Sequence, residues 1–357
     1  MFRNLYRGKR VLVTGHTGFK GSWLCAWLHR LGAEVAGFAL PPDQHPDHFS
    51  LLKTPLQSGI GDIRDYEKLK TFFAGFQPEI IFHLAAQPLV RVSYRQPRET
   101  FETNVMGTAN VLDACRFVSS VQAVVVVTTD KCYANPENGK PFTEDDPLGG
   151  HDPYSASKGA AEIVAASCRS AFFSSPESPA IATARAGNVI GGGDWAEDRL
   201  IPDLIRAASL GRSAEIRFPN AVRPWQYVLE ALSGYLTLGA ELLSGGQTFA
   251  SAWNFGPVEA ESYTVGDIIK IAQTEWNKID FCADETPDQP HEAAHLLLDC
   301  NKAQTRLHWH PVWNTEQAVR RTIRWYRDFY EQGKLVTSAD LDAYCASARQ
   351  AGLEWAQ

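Results

Sequence analysis

Tyr154 and Lys158 stand four residues apart in Tyr154-Ser155-Ala156-Ser157-Lys158, a step that sets both side chains on one face of a helix. A phenol and an amine held together can take and return the proton of a sugar or alcohol hydroxyl. Asp152 is a good N-cap and Pro153 a good first helical residue, so the helix is expected to open there and carry both groups in its first turns. A second polar cluster, Thr128-Thr129-Asp130-Lys131, follows the apolar run from Ala123 to Val127 and places hydroxyls, an acid and an amine at the end of an expected strand.

The N-terminal segment describes a scaffold for such groups. Arg10-Val11-Leu12-Val13-Thr14 runs into Gly15-His16-Thr17-Gly18-Phe19-Lys20-Gly21 and then Trp23 to Leu28, which reads as strand, glycine turn and helix. Gly15 permits the tight turn, Gly18 lets a pyrophosphate approach the backbone, and Gly21 lets the helix pack on the strand. Strand-like runs at Ile80 to Leu84, Ala123 to Val127 and Ala180 to Ala184 alternate with helical segments such as Tyr66 to Phe73 and Arg98 to Val118. That alternation predicts an α/β fold, a doubly wound parallel Rossmann sheet with a smaller C-terminal substrate-binding lobe. Residues 1–185 form the expected dinucleotide-binding domain, with segments near 222–262 returning to it. The lobe takes 186–221 and 263–357, including helices over Leu200 to Leu210 and Val265 to Trp276. The stretch Ser338 to Trp355 reads as a last helix, packed on the body or on a partner subunit.

Together these segments resemble the extended short-chain dehydrogenase/reductase superfamily, from about Lys9 to about Tyr326. The resemblance implies that NAD is held by Gly15, Thr17, Gly18, Phe19, Lys20 and Gly21, by Asp62 and Ile63 after the second strand, by Leu84, Ala85 and Ala86, by Asn104 and by Thr128, with Tyr154 and Lys158. No acidic residue ends the strand Glu34 to Phe38, a departure from the usual NAD pattern, yet no Arg or Lys lies there to neutralise a ribose phosphate. NAD is therefore favoured over NADP, with Asp43 as a candidate ribose partner.

Thr129-Asp130 with a third polar residue looks like the active-site triplet of nucleotide-sugar 4,6-dehydratases, although Lys131 stands where Glu is common. Gly187-Asn188-Val189-Ile190-Gly191-Gly192-Gly193-Asp194-Trp195 and Arg223-Pro224-Trp225-Gln226 are similar to the branch of that group acting on CDP-linked glucose. The resemblance implies a route: Tyr154, its pKa lowered by Lys158 and the nicotinamide charge, takes the C4 hydroxyl proton as hydride leaves C4. Lys131 then removes the C5 proton, protonated Asp130 releases the C6 hydroxyl as water, and hydride returns to C6, while Thr129 holds the C4 oxygen. Lys131 has two other readings, an anchor for ribose or phosphate and an ion pair with Asp130. Substrate contacts implied are Gln87, Asn188, Arg199, Arg217, Arg223, His291 and Glu292, with a homodimer or homotetramer built on the helices Arg98 to Val118 and Tyr154 to Ser170. An epimerase or reductase on the same fold, and a non-catalytic dinucleotide-binding scaffold, are the competing readings.

His291-Glu292-Ala293-Ala294-His295 satisfies the spacing of a zinc-protease helix. An apolar run follows it directly, so a coincidental match is expected and no metal is assigned. The 357 residues carry a net charge of -7, which argues against nucleic acid or an acidic membrane as partner. Seven cysteines without paired spacing read as reduced thiols of a cytoplasmic protein, and no apolar run approaches membrane-spanning length.

Overall fold

Short runs of Val, Ile, Ala and Phe, separated by helix-length segments, can pair as parallel strands only if helices cover both faces. The computed structural model, which describes residues 1–257, 263–283 and 296–357, has that arrangement. Its strands are β1 (Arg10–Thr14), β2 (Glu34–Ala39), β3 (Gln57–Ile60), β4 (Ile80–His83), β5 (Ala123–Val127), β6 (Ala180–Ala186), β7 (Val189–Ile190), β8 (Ala214–Ile216), β9 (Gln226–Tyr227), β10 (Ala252–Phe255) and β11 (Phe281–Ala283). Seven of them make one parallel sheet in the order β10-β6-β5-β4-β1-β2-β3. β4, β5 and β6 are buried along their whole length, as strands covered on both faces must be.

The helices are α1 (Phe19–Arg30), α2 (His48–Leu52), α3 (Tyr66–Phe76), α4 (Val90–Arg95), α5 (Pro97–Phe101), α6 (Gly107–Cys115), α7 (Pro153–Phe172), α8 (Leu200–Ser209), α9 (Val228–Gly245), α10 (Val265–Glu275), α11 (Asn301–Arg306), α12 (Thr315–Gln332) and α13 (Thr337–Gln350). One core layer packs α1 and α9 on the sheet, and the other packs α3, α6 and α7 on its opposite face. The strand order reverses direction of growth between β1 and β4, so a crevice opens at their carboxyl ends, where doubly wound folds bind ligands. Register aligns that edge: Thr14 lies opposite His83, His83 opposite Val126, and Val127 opposite Ala184.

One expectation needs amending, and one left open is decided. The helix anticipated from Arg98 to Val118 is interrupted, with a π turn at Glu102–Met106 between α5 and α6. Such insertions tend to sit at functional sites, and this one carries Asn104. The last helix packs on the body of its own chain, where the Tyr344 hydroxyl donates to Glu230 at 2.7 Å and Trp355 stacks on Phe2 at 5.1 Å.

Candidate active site

The glycine turn is shaped by contacts that only hydrogen allows. Gly15 has φ +76°, and a Cβ there would stand 2.7 Å from the Ala85 nitrogen; a Cβ on Gly21 would stand 2.1 Å from the Gly15 carbonyl. Gly18 is different. Its φ of -76° and ψ of 170° suit any residue, and an added Cβ would meet nothing nearer than the Gly15 carbonyl at 3.4 Å. The fold does not demand glycine at 18, whereas a phosphate lying against the backbone would. Gly18 is also the N-cap of α1 and no side chain caps that helix, leaving its first N–H groups and the positive end of its dipole for an anion. The donor set therefore fits a dinucleotide, and Gly18, Phe19 and Lys20 are the residues that would meet its pyrophosphate.

Further residues expected at the cofactor fall into two groups. Leu84 and Ala85 follow β4 beside the glycine turn, the Leu84 N–H donating to the Thr14 carbonyl. Thr17 donates to the Leu40 carbonyl at 2.9 Å and bridges to the end of β2. The Asp62 carboxylate takes hydrogen bonds from the Arg64 N–H and guanidinium; burial opposes its ionisation, and the Arg64 contacts hold it below the usual range. Asn104 and Gln87 are tied to each other. The Asn104 amide is spent on the Gln87 backbone and the Ser157 hydroxyl, while Gln87 spends its own amide on Thr100 and Leu89. Gln87 thus fastens the segment after β4 to the π turn.

A cavity of ≈ 980 Å³ opens at the carboxyl edge, lined among others by Lys20, Thr128, Thr129, Asp130, Lys131 and Tyr154, and further out by Asn188, Arg199, Arg217 and Arg223. The sequence thus brings the triplet, the tyrosine and three arginines to one space. The Asp152 side chain caps α7 by accepting from the Ser155 N–H at 3.0 Å, which fixes where Tyr154 projects. Burial pushes the Tyr154 phenol up to about 12, with a Thr129 hydrogen bond opposing. Lys158 is buried too, and burial pulls its ammonium down to about 8 against the pull of Glu162; it donates to the Val127 carbonyl at 3.3 Å. Within the chain itself burial is the largest influence on the phenol, and the lowering expected from Lys158 and the nicotinamide charge belongs to the cofactor-bound site.

Thr129 caps a single 3-10 turn, Asp130–Cys132, and donates to the Asp130 carboxylate at 2.9 Å. Burial raises the Asp130 carboxyl above its ordinary value despite Lys131, Thr129 and Arg223, as a proton donor requires. Lys131 is half-buried on the cavity wall, and no ion pair joins it to Asp130. Lys20 faces the same space; burial, aided by Lys158 and Arg199, pulls its ammonium down to about 7.

Sequence reasoning missed several supporting residues. Gly187 makes room for Asp130, since a Cβ there would stand 2.8 Å from its Oδ2. Asp194 accepts from Arg199 at 2.7 Å, and Asp198 lies between Arg91 at 3.6 Å and Arg217 at 3.8 Å. Only the glycine before Asn188 was visible as a signal; the acids depend on loop paths that no periodicity reveals. His291 and Glu292 lie outside the described residues. Among the described residues no cluster of His, Cys, Asp or Glu could hold a metal, and no helix is long and apolar enough to cross a membrane.

A seven-stranded doubly wound sheet with a glycine turn at β1 and a Tyr-x-x-x-Lys pair on α7 defines an extended short-chain dehydrogenase/reductase. The chain belongs to the GDP-mannose 4,6 dehydratase family, whose model matches residues 12–322. It is 47% identical over 331 residues to the CDP-glucose 4,6-dehydratase of Salmonella typhimurium, spanning 91% of this chain and 92% of that one. Among solved structures it is similar to the dTDP-glucose 4,6-dehydratase DesIV of Streptomyces venezuelae, solved with NAD bound, at TM-score 0.76 and 25% identity over 89% of this chain and 97% of that one. An epimerase from Methanothermobacter thermautotrophicus shares the fold at TM-score 0.80 and 24% identity, over 92% of this chain and 95% of that one.

Proposed function

We propose that the protein is an NAD-dependent hydro-lyase that converts CDP-glucose to CDP-4-keto-6-deoxyglucose, a step in deoxysugar synthesis in the cytoplasm. The observation that carries the reading is the meeting of Tyr154, Thr129, Asp130 and Lys131 in one cavity, where burial raises the Asp130 carboxyl above its ordinary value. NAD, when bound, accepts and returns the hydride. The chain's own residues handle protons and positions. Tyr154 takes the C4 hydroxyl proton, Thr129 holds that oxygen, Lys131 takes the C5 proton, Asp130 gives its proton to the departing C6 hydroxyl, and Lys131 returns a proton to C5 as hydride reaches C6. A buried acid and an amine on opposite duties suit an elimination, which needs both within reach of adjacent carbons. Arg199, Arg217 and Arg223, with Asn188, are assigned to the pyrophosphate and sugar, for which guanidinium forks are suited.

The base preference for cytosine rests on the similarity to the Salmonella enzyme. A homodimer or homotetramer would use α4 to α7, where Tyr94, Phe101, Met106, Phe117, Ile163 and Phe172 are exposed. The test is incubation with CDP-, dTDP-, UDP- and GDP-glucose and a catalytic amount of NAD, following product by mass. Loss of one water (~18 mass units) from the CDP-sugar alone, without a steady rise in NADH absorbance, is the expected result for an elimination at a transient ketone. A product that keeps the C6 hydroxyl would favour an epimerase, and stoichiometric NADH a dehydrogenase.

A further inference from the structure

Behind the cavity, one turn beyond Lys158 on α7, Glu162 is buried with 2% exposure. Both of its oxygens are committed. Oε1 accepts from the Thr128 hydroxyl at 2.5 Å, and Oε2 accepts from the Thr183 hydroxyl at 2.7 Å and the Arg185 guanidinium at 2.9 Å. Arg185 donates in turn to the Tyr133 hydroxyl at 2.7 Å and the Glu144 carbonyl at 3.1 Å, and lies over the Tyr133 ring. Tyr133 donates to Asn254 on β10 at 2.7 Å. A single carboxylate thus ties α7 to the ends of β5 and β6, and through Arg185 to the loop after the Thr129–Lys131 triplet.

A buried ion pair is a poor way to stabilise a core, since packed hydrophobic residues of the same volume often serve as well or better. Its location gives it another use. Lys158 lies 7% exposed, bonded to one backbone carbonyl, and among the described residues no carboxylate comes within 4 Å of its ammonium. The groups that interact with it are Lys20 on α1, His83 at the end of β4, Cys132 in the turn after β5 and Glu162 on α7, while Arg185 on β6 and Arg169 on α7 interact in turn with Glu162. Of these, Glu162 is the carboxylate. Thr128, which it also holds, is the residue directly before Thr129.

We infer that Glu162 is a positioning residue of the active site, which keeps Lys158 in its ammonium form and pins Thr128 so that the turn bearing Thr129 and Asp130 keeps its place at the sheet edge. Burial alone pulls Lys158 towards neutrality and Glu162 pulls the other way, in agreement with the geometry. The inference rests on the reading of Tyr154 and Lys158 as the proton-handling pair.

The test compares the parent holoenzyme with Glu162→Gln, Glu162→Asp and the double variant Glu162→Gln/Arg185→Met, by product mass and by the pH dependence of kcat. In Glu162→Gln the alkaline fall in kcat should move down by about one pH unit, leaving kcat roughly fivefold low at pH 8, approaching tenfold above it, and nearer the parent at lower pH. Glu162→Asp keeps the charge and should keep the limb. If Glu162→Gln fails to fold because Arg185 is left unpaired, the double variant removes both charges and should fold with the same shifted limb. A limb unmoved in a folded variant, with kcat lowered equally at every pH, overturns the inference. A parent that does not dehydrate CDP-glucose overturns the proposed function instead, which the product mass shows separately.

Discussion

Gly18 and Gly21 are glycine for different reasons, and alanine at each should separate them. At Gly21 a Cβ would stand 2.1 Å from the Gly15 carbonyl and 2.8 Å from the His16 Cα, both backbone atoms that cannot rotate away. Overpacking of this kind costs about 1–3 kcal/mol, and for a chain this long a loss of about 2 kcal/mol lowers Tm by about 3 °C. At Gly18 the same methyl meets only the Gly15 carbonyl at 3.4 Å, in a backbone conformation alanine adopts freely. Alanine is a poorer N-cap than glycine by roughly 0.5 kcal/mol, and the stiffer unfolded chain returns about 0.4–1 kcal/mol, so Tm should stay within about 1 °C of the parent. Binding should behave in the opposite sense. The methyl at 18 stands where the pyrophosphate meets the backbone, and NAD affinity should fall at least ~10-fold, or about 1.4 kcal/mol. Thermal melts of the apoprotein and calorimetric titration with NAD measure the two quantities independently. Gly18→Ala binding NAD as tightly as the parent would refute the placement of the phosphates, whatever the effect of Gly21→Ala.

Other perturbations address the chemistry and the fold. Tyr154→Phe should keep its structure and lose about a hundredfold or more in kcat with CDP-glucose, and turnover at the parental rate would remove Tyr154 from the mechanism. Asp130→Asn should still reduce bound NAD in a single turnover yet release the dehydrated sugar slowly, while Lys131→Met should lose exchange of the C5 proton with deuterated solvent; retained exchange would return Lys131 to an anchoring role. Burial pushes Glu230 from 4.5 up to about 7 in the fold, against hydrogen bonds from Tyr344 and the Trp313 and Val312 N–H groups. A carboxyl raised in this way stabilises the fold fully below its unfolded value and loses that contribution as pH rises through 7, on the order of 3 kcal/mol. Chemical denaturation of Glu230→Gln between pH 5 and 8 should therefore show a flatter dependence than the parent, and an unchanged slope would mean that Glu230 is ionised at no cost.

The features legible in the sequence were those with a local cause. The glycine turn, the α7 cap at Asp152 and the apolar runs of β4, β5 and β6 announce themselves within a few residues, because turn geometry, capping and burial on both faces each demand a residue type at a fixed offset. The triplet was visible for the same reason, as it ends a strand. The mutual hydrogen bonds of Gln87 and Asn104 across the π turn were not legible, because nothing in a helical pattern reveals an inserted residue. Asp194 and Asp198 were invisible as partners of Arg199, Arg217 and Arg91, since they depend on how a loop doubles back. The balance around Tyr154 also escaped: a four-residue step places Lys158 nearby, but only coordinates show that its ammonium turns to the Val127 carbonyl.

The seating of α13 and the residues after it bears on how the chain is made. Phe2 and Trp27 are closed over by Tyr344 and Trp355, with Phe2 and Trp355 ring centroids 5.1 Å apart and Trp27 and Tyr344 centroids 5.8 Å apart. A ribosome adding residues in order leaves those early aromatic rings without their cover until more than 310 further residues have been joined. Throughout that interval the nascent first lobe displays an apolar face that native packing later hides, and such faces bind chaperones or each other. Nascent chains stalled before Thr337 should therefore be held by holdase chaperones, and chains released after Trp355 should escape them.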